Sequence, residues 1–287
     1  MSDIFRNRAD AGKQLAAALD RYAGRTDVVV LALPRGGVPV GYEVERVLRC
    51  PLDVLLVRKL GAPHNPELAM GAIATGDAIY LNDSVLRALH VREEQVLDAI
   101  ARERVELRRR ELAYRGQQPP AAVEDKTVIV VDDGMATGST MHAALNALRT
   151  RHPKQIVVAV PVCPAGVEAR FDSVADDFVY VMQPDWFMGI GQFYADFTQT
   201  SDEEVRSCLD AAQECSKAAC AAIATVRAPL RQKTARPDPH TACSKRQLQP
   251  VGTRVSALRH FRNPHGETSS CSHQKHHSLP FARLASV

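Results

Sequence analysis

Two adjacent carboxylates, Asp132 and Asp133, follow four β-prone apolar residues, Val128 to Val131. After Gly134 and Met135 comes a loop of small residues, Ala136-Thr137-Gly138-Ser139-Thr140. Met141, Ala144, Leu145 and Leu148 then recur at helical spacing. The order predicts a strand buried on both faces, an acidic tip, a phosphate-sized loop and a helix N-terminus. A helix N-terminus offers unpaired backbone N–H groups and the positive end of a dipole to an anion. Thr137, Ser139 and Thr140 add hydroxyl donors, and Gly138 lets the backbone approach closely. Asp132 and Asp133 would repel the same anion, so they suit hydroxyl donors or a cation beside it. A sugar diol with bound Mg²⁺ meets both demands. The expected ligand is therefore a sugar phosphate, its phosphate on Ala136–Thr140 and its hydroxyls on Asp132 and Asp133. A plain strand-to-helix turn is the alternative; a Walker loop fits worse, because no Lys follows the glycine.

The flanking segments must position this run. Residues 5–22 read as a helix, with Gly12, Leu15, Ala16 and Leu19 on one face. Val28–Leu33 reads as a buried strand ending in Pro34-Arg35-Gly36-Gly37, before a helix with Val40, Val44, Val47 and Leu48 inward. Leu52–Val57 reads as the next strand, ending in Arg58-Lys59. This alternation implies parallel strands with right-handed crossovers, whose ligands bind beyond the carboxyl ends of the strands. Three candidate loops leave such ends, after Leu33, Val57 and Val131. Arg35 beside exposed glycine amides suits a pyrophosphate, or a plain turn with a solvated cation. Arg58 and Lys59 allow the same two readings.

Residues 60–76 are rich in Gly, Pro, Ala and Asn and carry His64 and Glu67, which suit proton transfer or ordinary loop polarity. Ala69–Ile73 and Ala78–Leu81 predict a hairpin. Asn82 caps a following helix, and residues 92–114 make a longer one whose packed face is Val96, Ile100 and Leu107. Arg108, Arg109 and Arg110 point in different directions among Glu103, Glu106 and Glu111, so this helix reads as solvated and salt-bridged rather than as a nucleic-acid surface. Trp186 and Phe187 lead an aromatic run with Phe193, Tyr194 and Phe197. That run suits stacking on a planar base or plugging the core. Thr200–Glu204 start a final helix with Val205, Cys208, Leu209 and Ala212 inward.

VIVVDDGMATGST, residues 128–140, resembles the phosphoribosyl-pyrophosphate (PRPP) motif of type I phosphoribosyltransferases. Gly134 departs from the motif, where an apolar residue is usual. Ala136 stands where hypoxanthine-guanine members carry an Asp base, which brings this form nearer the adenine and xanthine branch. The resemblance covers roughly residues 5–212. Within the family, PRGGVPVG, VRKLGAPHNPELAMGAI, VDDGMATGSTM and GQFYADFTQTSDEEV resemble a bacterial branch of sequence-predicted members.

The resemblance implies an α/β fold: a mostly parallel sheet flanked by helices, with a small hood and a flexible lid. It implies Mg²⁺-dependent transfer of 5-phosphoribose from PRPP to a nitrogenous base, releasing pyrophosphate. Arg35, Gly36, Gly37, Arg58, Lys59, Asp132, Asp133 and Ala136–Thr140 would then bind PRPP. The pyrophosphate loop of the family often carries a strained or cis peptide. Residues 60–76 correspond to the lid, with Glu67 joining Asp132, Asp133, Arg35 and Lys59 as catalytic candidates. Trp186 and Phe187 fall where the hood binds the base. Mg²⁺ would come with PRPP and touch Asp132 and Asp133. Homodimers are common in the family. A PRPP- or nucleotide-sensing regulator on the same fold, or another ribose-phosphate enzyme, stays open.

Composition divides the chain. Residues 1–216 hold 24 Lys and Arg against 31 Asp and Glu, whereas residues 217–287 hold 12 against 2, so a net charge of +3 conceals an acidic body and a basic tail. The expected division is a phosphoribosyltransferase domain over 1–218 and a basic, low-order extension over 219–287, too poor in apolar residues to offset chain entropy. Seven cysteines without a CxxC pair argue against a disulfide framework or a zinc site. The N-terminal residues lack a signal-peptide pattern and no apolar run approaches a membrane span, so the expectation is a soluble cytoplasmic protein without membrane or nucleic-acid partners.

Overall fold

The structure, a computed structural model, describes residues 4–63 and 65–226, without the side chains of residues 66, 67 and 216–226. In chain order its elements are α1 (Arg8–Ala18), β1 (Val28–Ala32), α2 (Gly37–Leu48), β2 (Leu52–Val54), β3 (Val57–Ala62), β4 (Asn65–Ala74), β5 (Ala78–Leu81), α3 (Asp83–Ala88), α4 (Glu93–Arg115), β6 (Thr127–Val131), α5 (Ser139–Arg149), β7 (Gln155–Val162), β8 (Asp177–Met182) and α6 (Asp202–Val226). Short 3₁₀ turns lie at Asp20–Tyr22, Glu168–Arg170 and Ile190–Phe193.

Five strands form one parallel sheet in the order β2-β1-β6-β7-β8. Both neighbours of β6 are strands, and every residue of β1 and β6 is buried. Side chains alternate between two cores with the pleat. Val28, Val30, Ala32, Ile129, Val131, Val157 and Ala159 face Leu15, Val40, Val44, Leu48, Ile100, Leu107 and Leu209. Val29, Leu31, Val128, Val130, Ile156 and Val158 face Met141, Leu145, Leu148 and Phe171. The sheet is thus covered on both sides, as continuous Val/Ile runs require.

Three expectations need correction. The strand expected over Leu52–Val57 breaks after Val54. Leu55 and Leu56 are buried in different cores, and Val57 opens a separate antiparallel sheet, β3-β4-β5. The apolar residues Val54–Val57 gave no sign of that break. Beyond the hairpin expected at Ala69–Ile73, the segment 60–76 is mostly strand rather than loop, because Val57–Ala62 pairs antiparallel with Asn65–Ala74 and buries Leu60, Ala62 and Met70, a pairing hidden by the glycines and prolines between them. Val47, expected inward on α2, is 46% exposed.

Local signals elsewhere agree with the structure. Asn7 Oδ1 accepts the Asp10 N–H to cap α1. Asn82 Oδ1 accepts the Ser84 and Val85 N–H groups at the start of α3. Ser201 Oγ accepts the Glu204 N–H at the start of α6. That last helix runs continuously past residue 218. Cys271, His273, His276 and His277 lie outside the described residues. No helix among the described residues is long and apolar enough to cross a membrane.

One buried ion pair ties β2 to the end of α4. Arg115 Nε donates to Asp53 Oδ1 at 3.0 Å, and a second guanidinium nitrogen of Arg115 donates to the Val54 carbonyl at 3.0 Å. The other Asp53 oxygen accepts the Ala121 N–H at 2.8 Å. Asp53→Ala removes the hydrogen-bonded partner of a buried guanidinium and leaves it only the Glu111 carboxylate, 3.6 Å away, so urea denaturation is expected to show a loss of about 3 kcal/mol. A loss below about 0.5 kcal/mol would place this pair with ordinary surface ion pairs.

Candidate functional site

The β6 tip carries Asp132 and Asp133, and α5 begins six residues beyond Asp133. Between them the chain must turn tightly. Gly138 sits in the left-handed region at φ 72°, and a Cβ there would lie 2.7 Å from the Phe171 ring. Glycine is therefore required twice over, by conformation and by space. Thr137, Ser139 and Thr140 are exposed, and the Thr137 and Ser139 hydroxyls lie 3.2 Å apart. The first N–H groups of α5 have no partner within the helix itself.

Gly134, the departure from the PRPP motif, has a cause in packing. A Cβ at this position would stand 2.6 Å from Ile190 Cγ2. The segment after β8 presses on the acidic tip and leaves no room for a larger residue.

The loop between β1 and α2 lies against the two acids. A Cβ on Gly36 would overlap the Asp133 carboxylate, and one on Gly37 would stand 2.7 Å from the Val131 carbonyl oxygen. The Pro34–Arg35 peptide bond is cis. Gly36 and Gly37 are thus joined to Asp132 and Asp133 across the β1–β6 edge. The Arg35 side chain goes elsewhere, 3.7 Å from Asp202 Oδ1 at the start of α6.

Asp133 is 9% exposed and held by groups that no local signal marked. Arg8 Nε donates to its Oδ2 at 2.8 Å. The same guanidinium donates to the Thr198 carbonyl at 2.6 Å and lies 4.1 Å from the Phe197 ring centroid. The Tyr194 hydroxyl donates to the Asp133 backbone carbonyl at 2.6 Å. Arg8 reads in sequence as one more surface cation, since its partners are 125 and 190 residues away. Among the described residues Asp132 has no such cation in hydrogen-bond contact. Burial pushes its carboxyl well above the ordinary range, and the adjacent Asp133 charge pushes the same way. The two acids are thus unequal: one is paired, and the other pays for its charge.

Arg58 and Lys59 stand on the second sheet rather than at the end of a parallel strand. Both lie on β3, where Arg58 pairs with Glu103 of α4 at 2.7 Å and Lys59 lines a cavity of about 450 Å³ with Asp98, Arg102 and Glu103. Their expected place at a parallel strand end fails with the break after Val54. His64 and the Glu67 side chain lie outside the described residues. Phe187 stacks on Phe193 with centroids 5.4 Å apart, inside an aromatic cluster with Phe5 and Tyr194. Trp186 is 77% exposed, and its carbonyl accepts from Gln192 Nε2 at 3.2 Å. The run thus combines a plug with one free aromatic face. Among the described residues no group of three or more His, Cys, Asp or Glu gathers to hold a metal.

The inequality of the two acids has opposite consequences for stability. A carboxyl raised in the fold costs stability as pH climbs from the unfolded-state value toward the folded one. Asp132→Asn is therefore expected to raise the melting temperature at neutral pH, with the gain vanishing near pH 4. Asp133→Asn strips Arg8 of its anion and is expected to cost about 3 kcal/mol. Equal shifts for the two variants in thermal denaturation would contradict this assignment.

The comparisons with known proteins agree with this geometry. The family pattern described as "Phosphoribosyl transferase domain" matches residues 2–198. Proteins of two Mycobacterium tuberculosis strains, each named "Putative phosphoribosyl transferase", are 44% identical over 231 residues. The match covers 80% of this chain and 52% of each relative, so the chain spans about half their length. The crystal structure of TT1426 from Thermus thermophilus superposes with a TM-score of 0.65 at 42% identity, covering 72% of this chain and 97% of that one.

Proposed function

The chain belongs to the phosphoribosyl transferase family, and on that premise we propose that it transfers 5-phosphoribose from PRPP to a nitrogenous base, releasing pyrophosphate. The observation that carries this reading is the convergence at Asp133. There the acidic tip of β6, the Gly36-Gly37 loop and the start of the anion loop before α5 meet. The 5-phosphate goes to the N–H and hydroxyl donors of Ala136–Thr140. The ribose hydroxyls go to Asp132 and to Asp133 Oδ1, which has no partner among the described residues. As the bond from C1 to pyrophosphate breaks, positive charge grows on the sugar, and the two carboxylates stabilise it electrostatically.

Arg35 belongs to the pyrophosphate end of this reading and must leave Asp202 to reach it. Arg58 and Lys59 belong to the same end, Arg58 exchanging Glu103 for the pyrophosphate. Trp186 offers the acceptor its exposed ring, with Phe187 behind it in the aromatic cluster. Glu67 remains the proposed proton-transfer residue. Asp132 and the open side of Asp133 fit Mg²⁺ brought with PRPP, since that ion is commonly held by one or two carboxylates together with substrate phosphates and water. When bound, it would supply charge neutralisation for the departing pyrophosphate. Residues 219–287 enter the reading only as a basic extension.

Incubation with ribose-labelled PRPP, Mg²⁺ and a panel of purine and pyrimidine bases is expected to yield labelled nucleotide and pyrophosphate. Asp132→Asn is expected to slow that transfer by about 10²-fold or more, the scale for losing a preorganised electrostatic partner. PRPP binding without transfer to any base would instead identify a PRPP sensor. Phosphate release without an acceptor would identify a different ribose-phosphate enzyme.

A further inference from the structure

Beside the loop at Pro34-Arg35 lies a cavity of about 340 Å³ that the proposed reaction does not use. Arg35, Arg109, Arg110, Tyr114 and Asp202 line it. Its three guanidinium groups come from two separate parts of the chain, the β1–α2 loop and the last turns of α4. Two carboxylates oppose them. Glu106 accepts from Arg109 at 2.8 and 2.9 Å and from Arg110 Nε at 2.7 Å. Asp202 takes the Tyr114 hydroxyl at 2.7 Å and stands 3.7 Å from Arg35.

That count leaves donors to spare. Arg110 uses only its Nε, and the Arg35 guanidinium makes no hydrogen bond among the described residues, its contact with Asp202 being too long for one. Three cations against two carboxylates leave one net positive charge. The unused N–H groups lie in forks, the geometry that matches phosphate oxygens in pairs.

We propose that this cavity is a second anion site, binding a chain of two or more phosphates, and that its occupant withholds Arg35 from the PRPP pyrophosphate. Asp202 acts as the resident competitor, the group that an incoming phosphate displaces. The binding part stands on the cavity alone. The effect on PRPP rests on the reading of the preceding section, through the role given there to Arg35.

Calorimetry with inorganic tripolyphosphate on the full chain tests the binding part without any need for activity. Binding is expected, weakened about tenfold or more by Arg109→Ala/Arg110→Ala, whose exposed side chains contribute little to stability. Asp202→Asn is expected to act in the opposite sense and tighten it. ATP binding as tightly as tripolyphosphate would mean that the phosphate chain alone is read, and tighter ATP binding that a nucleoside is read as well; both support the site. Unchanged affinity in Arg109→Ala/Arg110→Ala, or weaker binding in Asp202→Asn, would overturn it.

In the transfer assay tripolyphosphate is expected to raise KM for PRPP. The double variant is expected to lose that response while keeping the original KM without the anion. A KM for PRPP that rises in the double variant alone would show the cavity to be part of the PRPP site itself and end the proposal. Absence of transfer would count against the proposed reaction, leaving the calorimetric result to decide the anion site.

Discussion

The centre of this protein depends on the buried pair between Arg8 and Asp133. Two carboxylates adjacent in sequence at the end of a buried strand repel each other and lose hydration, so an uncompensated pair would not both stay charged. Arg8 offsets part of that cost. It also fixes where everything else stands. Its guanidinium reaches Asp133, the Thr198 carbonyl and the Phe197 ring together, so the first helix, the acidic tip and the segment after β8 meet at one cation. Gly36 then closes on the same carboxylate from the β1–α2 loop. Exposed pairs such as Glu106 with Arg109 and Arg110 involve shorter sequence separations and contribute far less.

The contrast between the acids gives the site its chemistry. Asp133 is paired with Arg8 and organises backbone. Burial and the neighbouring acid push the Asp132 carboxyl well above the ordinary range. A ligand that brings hydroxyl donors or a cation relieves a penalty already present in the fold. Stability given up at Asp132 is thereby recovered on binding, a common relation between stability and function at such sites. The anion loop before α5 needs no such compensation, because its donors are exposed backbone and hydroxyl groups.

Much of this was legible in the sequence. Val128–Val131, the two acids, the Thr/Ser loop and the helical period after it each follow from local rules, and the structure has them in that order. The alternation of apolar runs led to a parallel sheet. What escaped depends on distance or on competition between cores. Arg8 carries no sign of a partner 125 residues away. The run from Leu52 to Val57 does not show that Leu55 and Leu56 enter different cores, so the second sheet that carries Arg58 and Lys59 is not visible in it. Gly134 looked like a lapse from a motif until Ile190 was seen to fill its side-chain space. The ribbon over 60–74 was masked by the same Gly and Pro content that suggests a loop.

The most direct test of this account is the number of protons released when PRPP and Mg²⁺ bind, measured by calorimetry at about pH 5 to 6 in two buffers of different ionisation enthalpy. If Asp132 starts protonated and ends as a carboxylate on the ribose hydroxyls, the wild-type chain should release more protons than Asp132→Asn under identical conditions. Equal proton release by the two would contradict the claim that Asp132 is the acid whose charge the ligand restores.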